Sequence, residues 1–148
     1  MLRKILTWEN PILREKSEHV DAIDERIRRI AKDLLDTSEG HDGLAGIQIG
    51  ERVNIVVLCD RGREPIIMVN PEVVKQVNYH IVYETCLSLP RQAFYVKRPK
   101  VIKVRYTDLD NNTRSLKGHD HFAQMIRHEI DHLDGVMIDT IGIRTRGG

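Results

Sequence analysis

The nine residues from Arg127 to Gly135 restrict the fold more than any other part of the chain, because they contain a His-Glu-x-x-His pattern. On a helix, His128 and His132 lie one turn apart on the same face, so both imidazoles can bind one small divalent ion. Glu129 follows the first histidine and can take a proton from a water at that ion. Such an ion needs at least one further protein ligand. The pattern therefore predicts a metal-binding helix near the C-terminus and a third ligand elsewhere.

Length and charge limit the classes of protein that could carry such a helix. The chain has 148 residues, which fits a single domain over residues 1–148. Its net charge of +1 gives no electrostatic reason to expect a nucleic acid or an anionic membrane as partner. No apolar run approaches the roughly 20 residues of a membrane span, and the first ten residues lack a signal-peptide apolar segment. We therefore expect a cytoplasmic protein without a membrane partner.

The remaining pattern predicts an α+β fold. An apolar stripe formed by Ile23, Ile27, Ile30, Leu34 and Leu35 indicates one N-terminal amphipathic helix, for which Asp21 is the expected N-cap. The middle of the chain is a series of short apolar runs without intervening helices. These predict strands at residues 53–59, 65–69, 73–77, 81–84, 93–96, 101–107 and 113–116. We expect short antiparallel or mixed sheets packed around the metal-binding helix at residues 119–133.

The C-terminal end of the chain carries three further expectations. Gly135 is placed to end the metal-binding helix in a left-handed cap. Residues 136–138 form a short apolar run, which predicts a strand. The polar tail at 143–148 is expected to be frayed.

Cys86 is the candidate for the third ligand. It lies in the segment Glu84-Thr85-Cys86-Leu87-Ser88-Leu89-Pro90, and a thiolate is a strong ligand for ions such as zinc. An isolated cysteine is more often a small buried apolar residue, which is our interpretation of Cys59. Two cysteines do not make a disulfide framework. On these residues alone, a chance histidine pair without metal remains an alternative.

Three short motifs in fixed order carry a resemblance to the peptide deformylases. Residues 41–48 are similar to the family's Gly-x-Gly-Leu-Ala-Ala-x-Gln segment, residues 84–88 to its Glu-Gly-Cys-Leu-Ser segment, and residues 127–133 to its Gln-His-Glu-x-Asp-His-Leu segment. Their order and spacing also match, so the resemblance spans nearly the whole domain. It implies a metal-dependent hydrolase that removes the formyl group from N-formylated peptides or nascent chains, formyl-methionyl ones included, and releases formate. We expect a monomer.

The resemblance also implies roles for individual residues. Cys86, His128 and His132 would ligate one divalent ion, most typically Fe(II), with Zn, Ni or Co as alternatives. Glu129 would move the proton from water to the leaving amine. Gln48 and the Leu87 N–H would donate hydrogen bonds to the oxyanion, and Gly43 would pair its backbone with the substrate. Glu84 and Arg98 would form a supporting ion pair. The helix face at His121, Gln124 and Met125 would lie toward the substrate side chain.

The chain departs from the family pattern at His41, Asp42, Gly46, Thr85 and Arg127. Asp42, with His121 and Gln124 on the helix face toward the substrate, keeps open a deformylase that prefers a polar first side chain. The departures at 41, 42, 85 and 127 keep open a catalytically weak homologue that acts as a binding protein. A protease that cleaves internal peptide bonds is a third alternative, since such enzymes also use His-Glu-x-x-His. They usually take a His or Glu as third ligand, so Cys86 argues against it.

Overall fold

A computed structural model describes residues 1–145, and its main feature is one antiparallel sheet of six strands. The strands are β1 (Gly43–Ala45), β2 (Ile55–Leu58), β3 (Ile66–Thr85), β4 (Ala93–Thr107), β5 (Thr113–His119) and β6 (Ile143–Arg144). Their order in space is β1-β2-β3-β4-β5, and β6 pairs with the start of β4. The helices are α1 (Glu25–Thr37), α2 (Asp120–Leu133) and the short α3 (Ile138–Ile141). The α+β prediction is confirmed.

Strands β3 and β4 are longer than the sequence indicated. Strand β3 joins the three runs predicted at 65–69, 73–77 and 81–84 into 20 residues, and β4 joins the runs at 93–96 and 101–107. Register shifts between Val69 and Glu72 and between Val73 and Lys75 interrupt the pairing of β3 with β4. Asn70 lies within the first of these shifts and has a φ of 51°. Such irregularities break the alternation of apolar residues, so one bent strand has the sequence pattern of several short ones.

Helix α1 begins three residues later than predicted. Asp24, not Asp21, is the N-cap, and its side chain accepts a hydrogen bond of 3.0 Å from the Ile27 N–H. Ile23 of the predicted stripe therefore lies before the helix, whereas Ile27, Ile30 and Leu34 are buried in a core cluster with β1 and β2 as predicted. This packing fixes the loop that leads from α1 into the edge strand β1.

The predictions for the C-terminal end were partly wrong. Residues 136–138 do not form a strand, because Met137 and Ile138 turn into the core and Ile138 begins α3. Ile143 and Arg144 are not frayed but pair with Tyr95 and Phe94 as β6. Residues 146–148 of the predicted tail lie outside the described residues.

Helix α2 follows β5 directly and holds the histidine pair against the sheet. Its apolar face contributes Phe122, Ala123, Ile126, Ile130 and Leu133 to the main core cluster, together with residues of β4. Gly135 ends the helix as predicted, with a φ of 73°. A Cβ atom there would lie 2.6 Å from the Arg14 carbonyl oxygen, so only glycine fits. Among residues 1–145, no helix is long and apolar enough to cross a membrane.

Candidate active site

The three predicted ligands meet at one buried point between β3 and α2. Cys86, in the turn after β3, places its Sγ atom 3.5 Å from Nε2 of His132. The Nε2 atoms of His132 and His128 are 3.3 Å apart. All three ligand atoms lie within 4.8 Å of one another. The structure thus brings together a thiolate and two imidazoles that are distant in sequence.

These distances fit a metal ion. A tetrahedral ion with metal–sulfur and metal–nitrogen bonds of about 2.3 Å and 2.05 Å would separate sulfur from nitrogen by about 3.5 Å and the two nitrogens by about 3.3 Å. Nδ1 of His128 donates to Oε1 of Glu84 at 2.7 Å, which leaves Nε2 for the ion. A donor set of one thiolate and two imidazoles suits several divalent transition ions and does not select one of them.

A buried ionic network supports this cluster. Arg98 donates to both carboxylate oxygens of Glu84, at 2.6 and 2.8 Å, and its remaining nitrogen reaches Asp131. Arg127 binds the other oxygen of Asp131 at 2.9 Å. Burial disfavours the charge on Glu84, but hydrogen bonds from Arg98 and His128 outweigh it and lower the pKa of Glu84 to about 2. The predicted Glu84–Arg98 pair is therefore present and joins β3 and β4 to α2.

Sequence reasoning missed the part of this network that Asp131 forms. The four-residue spacing from Arg127 to Asp131 on a helix was the available signal. Arg127, which replaces the family's glutamine, gains a partner through that spacing. The departure at Thr85 is also accommodated, because Thr85 ends β3 in register with Ala93 and is not among the positive-φ residues.

Glu129 is buried beside the ligand cluster. Burial raises the pKa of its carboxyl group to about 7. Its Oε1 atom is buried without a hydrogen-bond partner within residues 1–145, and the residue forms part of the cleft wall. Gly43 packs directly against it, since a Cβ atom built on Gly43 would lie 3.1 Å from Cγ and from Oε2 of Glu129. A carboxyl group in this position can exchange a proton with a molecule in the cleft.

Gln48 directs its amide toward the thiol of Cys86. Its Nε2 lies 3.1 Å from Ser88 Oγ and 3.8 Å from Cys86 Sγ, while Oε1 accepts a hydrogen bond of 3.0 Å from the Ala45 N–H. The Leu87 N–H has no acceptor within the described chain. Two donors suited to a developing oxyanion therefore lie on segments next to the thiolate.

The N-terminal arm, which includes Leu6 and Trp8, binds both the segment that contains Gln48 and the segment that contains Ser88. The Leu6 N–H donates to the Gln48 carbonyl at 2.8 Å, and the Trp8 N–H donates to the Ser88 carbonyl at 2.9 Å. Sequence reasoning did not identify these contacts, because backbone hydrogen bonds leave no side-chain signal.

Gly43 presents its backbone to the cleft. Within residues 1–145, strand β1 is at the edge of the sheet and pairs only with β2, with Gly43 opposite Leu58. The Cys59 N–H donates to the Asp42 carbonyl, so the next pair along, Gly43 and Leu58, is the non-hydrogen-bonded kind. The N–H and C=O of Gly43 therefore point away from β2 and can pair with an extended chain.

The cleft has a volume of about 660 Å³, and Cys86, His128 and Glu129 lie in its wall. Met125 contributes a buried apolar side chain. Gln124 lines the cleft but donates to the Tyr83 carbonyl at 3.1 Å, which ties α2 to β3. His121 and Asp42 lie at the rim, 63% and 70% exposed, with their polar atoms 3.5 Å apart. Asp42 and His121 thus face solvent at the mouth of the cleft.

The comparisons with known proteins agree with this geometry. A family model described as polypeptide deformylase matches residues 2–144. A peptide deformylase of Finegoldia magna is 41% identical over 140 residues, which is 92% of this chain and 86% of that protein. The crystal structure of the Thermotoga maritima peptide deformylase superposes with a TM-score of 0.90 at 28% identity, covering 95% of this chain and 97% of the other.

A second similar crystal structure contains a bound ligand. The peptide deformylase of Synechococcus elongatus, solved in complex with actinonin, has a TM-score of 0.86 at 29% identity and covers 93% of this chain and 77% of the other. These likenesses favour a deformylase over a binding protein and give no support to the altered side-chain preference. The chain belongs to the polypeptide deformylase family.

Proposed function

We propose that this protein hydrolyses the N-terminal formyl group of peptides, formyl-methionyl peptides in particular, and releases formate. One observation carries the proposal: the ligand atoms of Cys86, His128 and His132 lie within 4.8 Å of one another, and Cys86 and His128 line a cleft together with Glu129. Membership of the deformylase family supports the same reaction.

A formamide is a stable acyl group, so its hydrolysis needs an activated water and a polarised carbonyl. A divalent ion held by Cys86, His128 and His132 would supply both, as a Lewis acid that also lowers the pKa of water. Glu129 takes the proton from the attacking water at its carboxylate and delivers it to the leaving amine. Its burial keeps competing solvent away from that transfer.

The oxyanion of the tetrahedral intermediate is stabilised by Nε2 of Gln48 and the N–H of Leu87. The hydrogen bond from Gln48 to Ser88 holds the amide in place before substrate arrives, so little reorganisation is needed. Gly43 pairs its outward N–H and C=O with the peptide backbone. Met125, Gln124 and His121 line the path of the first side chain from the buried end of the cleft to its rim.

We infer Fe(II) as the physiological ion, with Zn, Ni or Co as substitutes, because Fe(II) is typical of the family. We further propose that the protein acts as a monomer in the cytoplasm on N-formylated nascent chains. The near-balance of 23 basic and 22 acidic residues supports a peptide rather than a nucleic acid as its direct partner.

Formate release tests the proposal. The protein, loaded anaerobically with Fe(II), is given formyl-Met-Ala-Ser and, separately, acetyl-Met-Ala-Ser. We expect formate from the first peptide, no acetate from the second, and no cleavage of internal peptide bonds by mass spectrometry. Internal cleavage would favour a protease, and no turnover at full metal occupancy would exclude the proposed reaction.

A pair of cysteine variants controls for the metal. Cys86→Ala is expected to lose the bound ion and formate release together, because a first ligand is removed. Cys59→Ala replaces the half-buried cysteine whose thiol hydrogen-bonds with Ser38. This variant should keep both the bound ion and formate release.

A further inference from the structure

A row of exposed apolar side chains crosses three strands on the outer face of the sheet. Tyr83 of β3, Tyr95 of β4 and Ile143 of β6 are direct neighbours in register. They are 56%, 51% and 75% exposed. The rings of Tyr83 and Tyr95 contact edge to face, with centroids 6.1 Å apart.

The row continues along β3. Ile81 and Tyr79 share the outer face of the strand and are 65% and 48% exposed. The Lys97 ammonium lies over the Tyr79 ring, 5.3 Å from its centroid. We call these residues the outer apolar surface: Tyr79, Ile81, Tyr83, Tyr95 and Ile143. Adjacent exposed apolar groups of this kind are typical of a binding surface, whereas single ones are ordinary.

The outer apolar surface is continuous with the cleft. Tyr83 belongs to both, and its neighbours Thr85 and Ala93 also line the cleft. Strand β2 pairs with β3 only at Ile66–Val69. Beyond that point, β3 has no strand partner on the side away from β4 within the described residues. An exposed strand edge therefore runs beside the apolar side chains to the mouth of the cleft.

We infer that the outer apolar surface binds the part of the peptide substrate that leaves the cleft, and that it favours apolar side chains there. The inference rests on the proposed deformylase function. Neighbouring strands are about 4.8 Å apart, so the row from Tyr83 to Ile143 spans roughly 10 Å, and Tyr83 to Tyr79 spans roughly 13 Å. Three or four extended residues cover such a length.

The position of Tyr83 argues for the substrate as the molecule that binds this surface. Because Tyr83 lines the cleft and begins the row, a peptide held in the cleft at its formyl end passes from Tyr83 onto the outer apolar surface. A second copy of this chain could also cover an apolar sheet face, but dimerisation would not explain why the surface shares Tyr83 with the cleft.

A peptide series tests the inference. Formyl-Met is followed by Gly-Ser repeats up to eight residues, and a single leucine is moved through positions 3–8. For the wild type, we expect KM to fall about 5- to 20-fold when leucine occupies one or two adjacent positions, with kcat nearly unchanged. The variants Tyr95→Ser and Ile143→Ser should lose this gain while turning over formyl-Met-Ala at the wild-type rate, since neither side chain lines the cleft.

Val74→Ser is the matched control, since Val74 is an exposed apolar residue of β3, 44% exposed and outside the outer apolar surface. It should keep the leucine effect. A wild-type KM independent of leucine position overturns the inference and leaves the deformylase function intact. A dimer in sedimentation experiments that Tyr95→Ser dissociates also overturns it, because a second copy would then be the occupant. Absence of formate from formyl-Met-Ala overturns the proposed function and the inference together.

Discussion

Gly43 and Glu129 are in direct contact, so the backbone proposed to bind the substrate chain forms part of the wall around the proposed general base. A Cβ atom on Gly43 would lie 2.7 Å from the Val57 carbonyl oxygen and 3.1 Å from the Glu129 carboxylate. The strand and the base therefore cannot move independently without opening this contact.

We predict that Gly43→Ala costs about 1–3 kcal/mol of unfolding free energy through overpacking. Displacement of the Glu129 carboxylate should also lower kcat on the order of 10²-fold. Urea denaturation and formate release measure the two effects. Gly62→Ala is the control, because Gly62 has a φ of 76° and no atom within 4 Å of an added Cβ. Alanine there meets backbone strain without overpacking. An unchanged kcat in Gly43→Ala would show that the contact does not position the base.

Arg98 is predicted to strengthen metal binding although it is not a ligand. Arg98→Met removes the arginine that binds both oxygens of buried Glu84 and one of the two arginines that bind Asp131, which should cost about 3–5 kcal/mol of stability. Because Glu84 orients His128, we expect the metal to bind about 10–100-fold more weakly. Arg26→Met removes a surface pair with Glu51 and should change stability by less than about 1 kcal/mol. Competition with a chromogenic chelator provides the affinities, and equal values for the two variants would refute a positioning role.

The N-terminal arm is predicted to support catalysis through its backbone. Trp8→Pro removes the N–H that binds the Ser88 carbonyl, and Ser88 in turn holds the Gln48 amide. We expect kcat to fall about three- to tenfold. Trp8→Ala keeps the N–H and should behave as the wild type in the same assay. Equal kcat values for both variants would place the arm outside the catalytic machinery.

The hairpin between β4 and β5 gives a pH-dependent contribution to stability. Asp108 accepts hydrogen bonds from Arg114 and from the backbone of Asn112 and Asp110, which lower its pKa below the ordinary value. A lowered folded-state pKa stabilises the fold above the unfolded-state value, about 3.9, and this contribution disappears as the pH falls through the folded-state pKa. Urea midpoints of wild type and Asp108→Asn should differ at pH 7 and converge toward pH 2. A difference that grows on acidification would contradict this assignment.

The parts of the site that could be predicted are those with local spacing. His128, Glu129 and His132 are fixed on one helix face by their separation alone, and Cys86 stood out because its segment resembles a family motif. The α+β class followed from alternating apolar runs. The length of β3 could not be predicted, since register shifts near Val69 and Val73 disguise one strand as several.

Contacts between distant segments also lay beyond sequence reasoning. Arg98 and Asp131 are 33 residues apart and meet only because β4 packs on α2. The hydrogen bonds from Leu6 and Trp8 use backbone atoms, which are the same in every residue except proline. The outer apolar surface needed the register of β3, β4 and β6 before its members could be seen as neighbours.

The Glu129→Gln variant tests the central claim most directly, because it keeps the shape of the side chain and removes its proton-accepting carboxylate. Metal content and formate release from formyl-Met-Ala-Ser are measured on the same Fe(II)-loaded samples of wild type and variant. We predict about one ion per chain in both proteins, with turnover by the variant reduced by a factor of about 10² or more. Wild-type turnover in a fully metal-loaded Glu129→Gln protein would contradict the account.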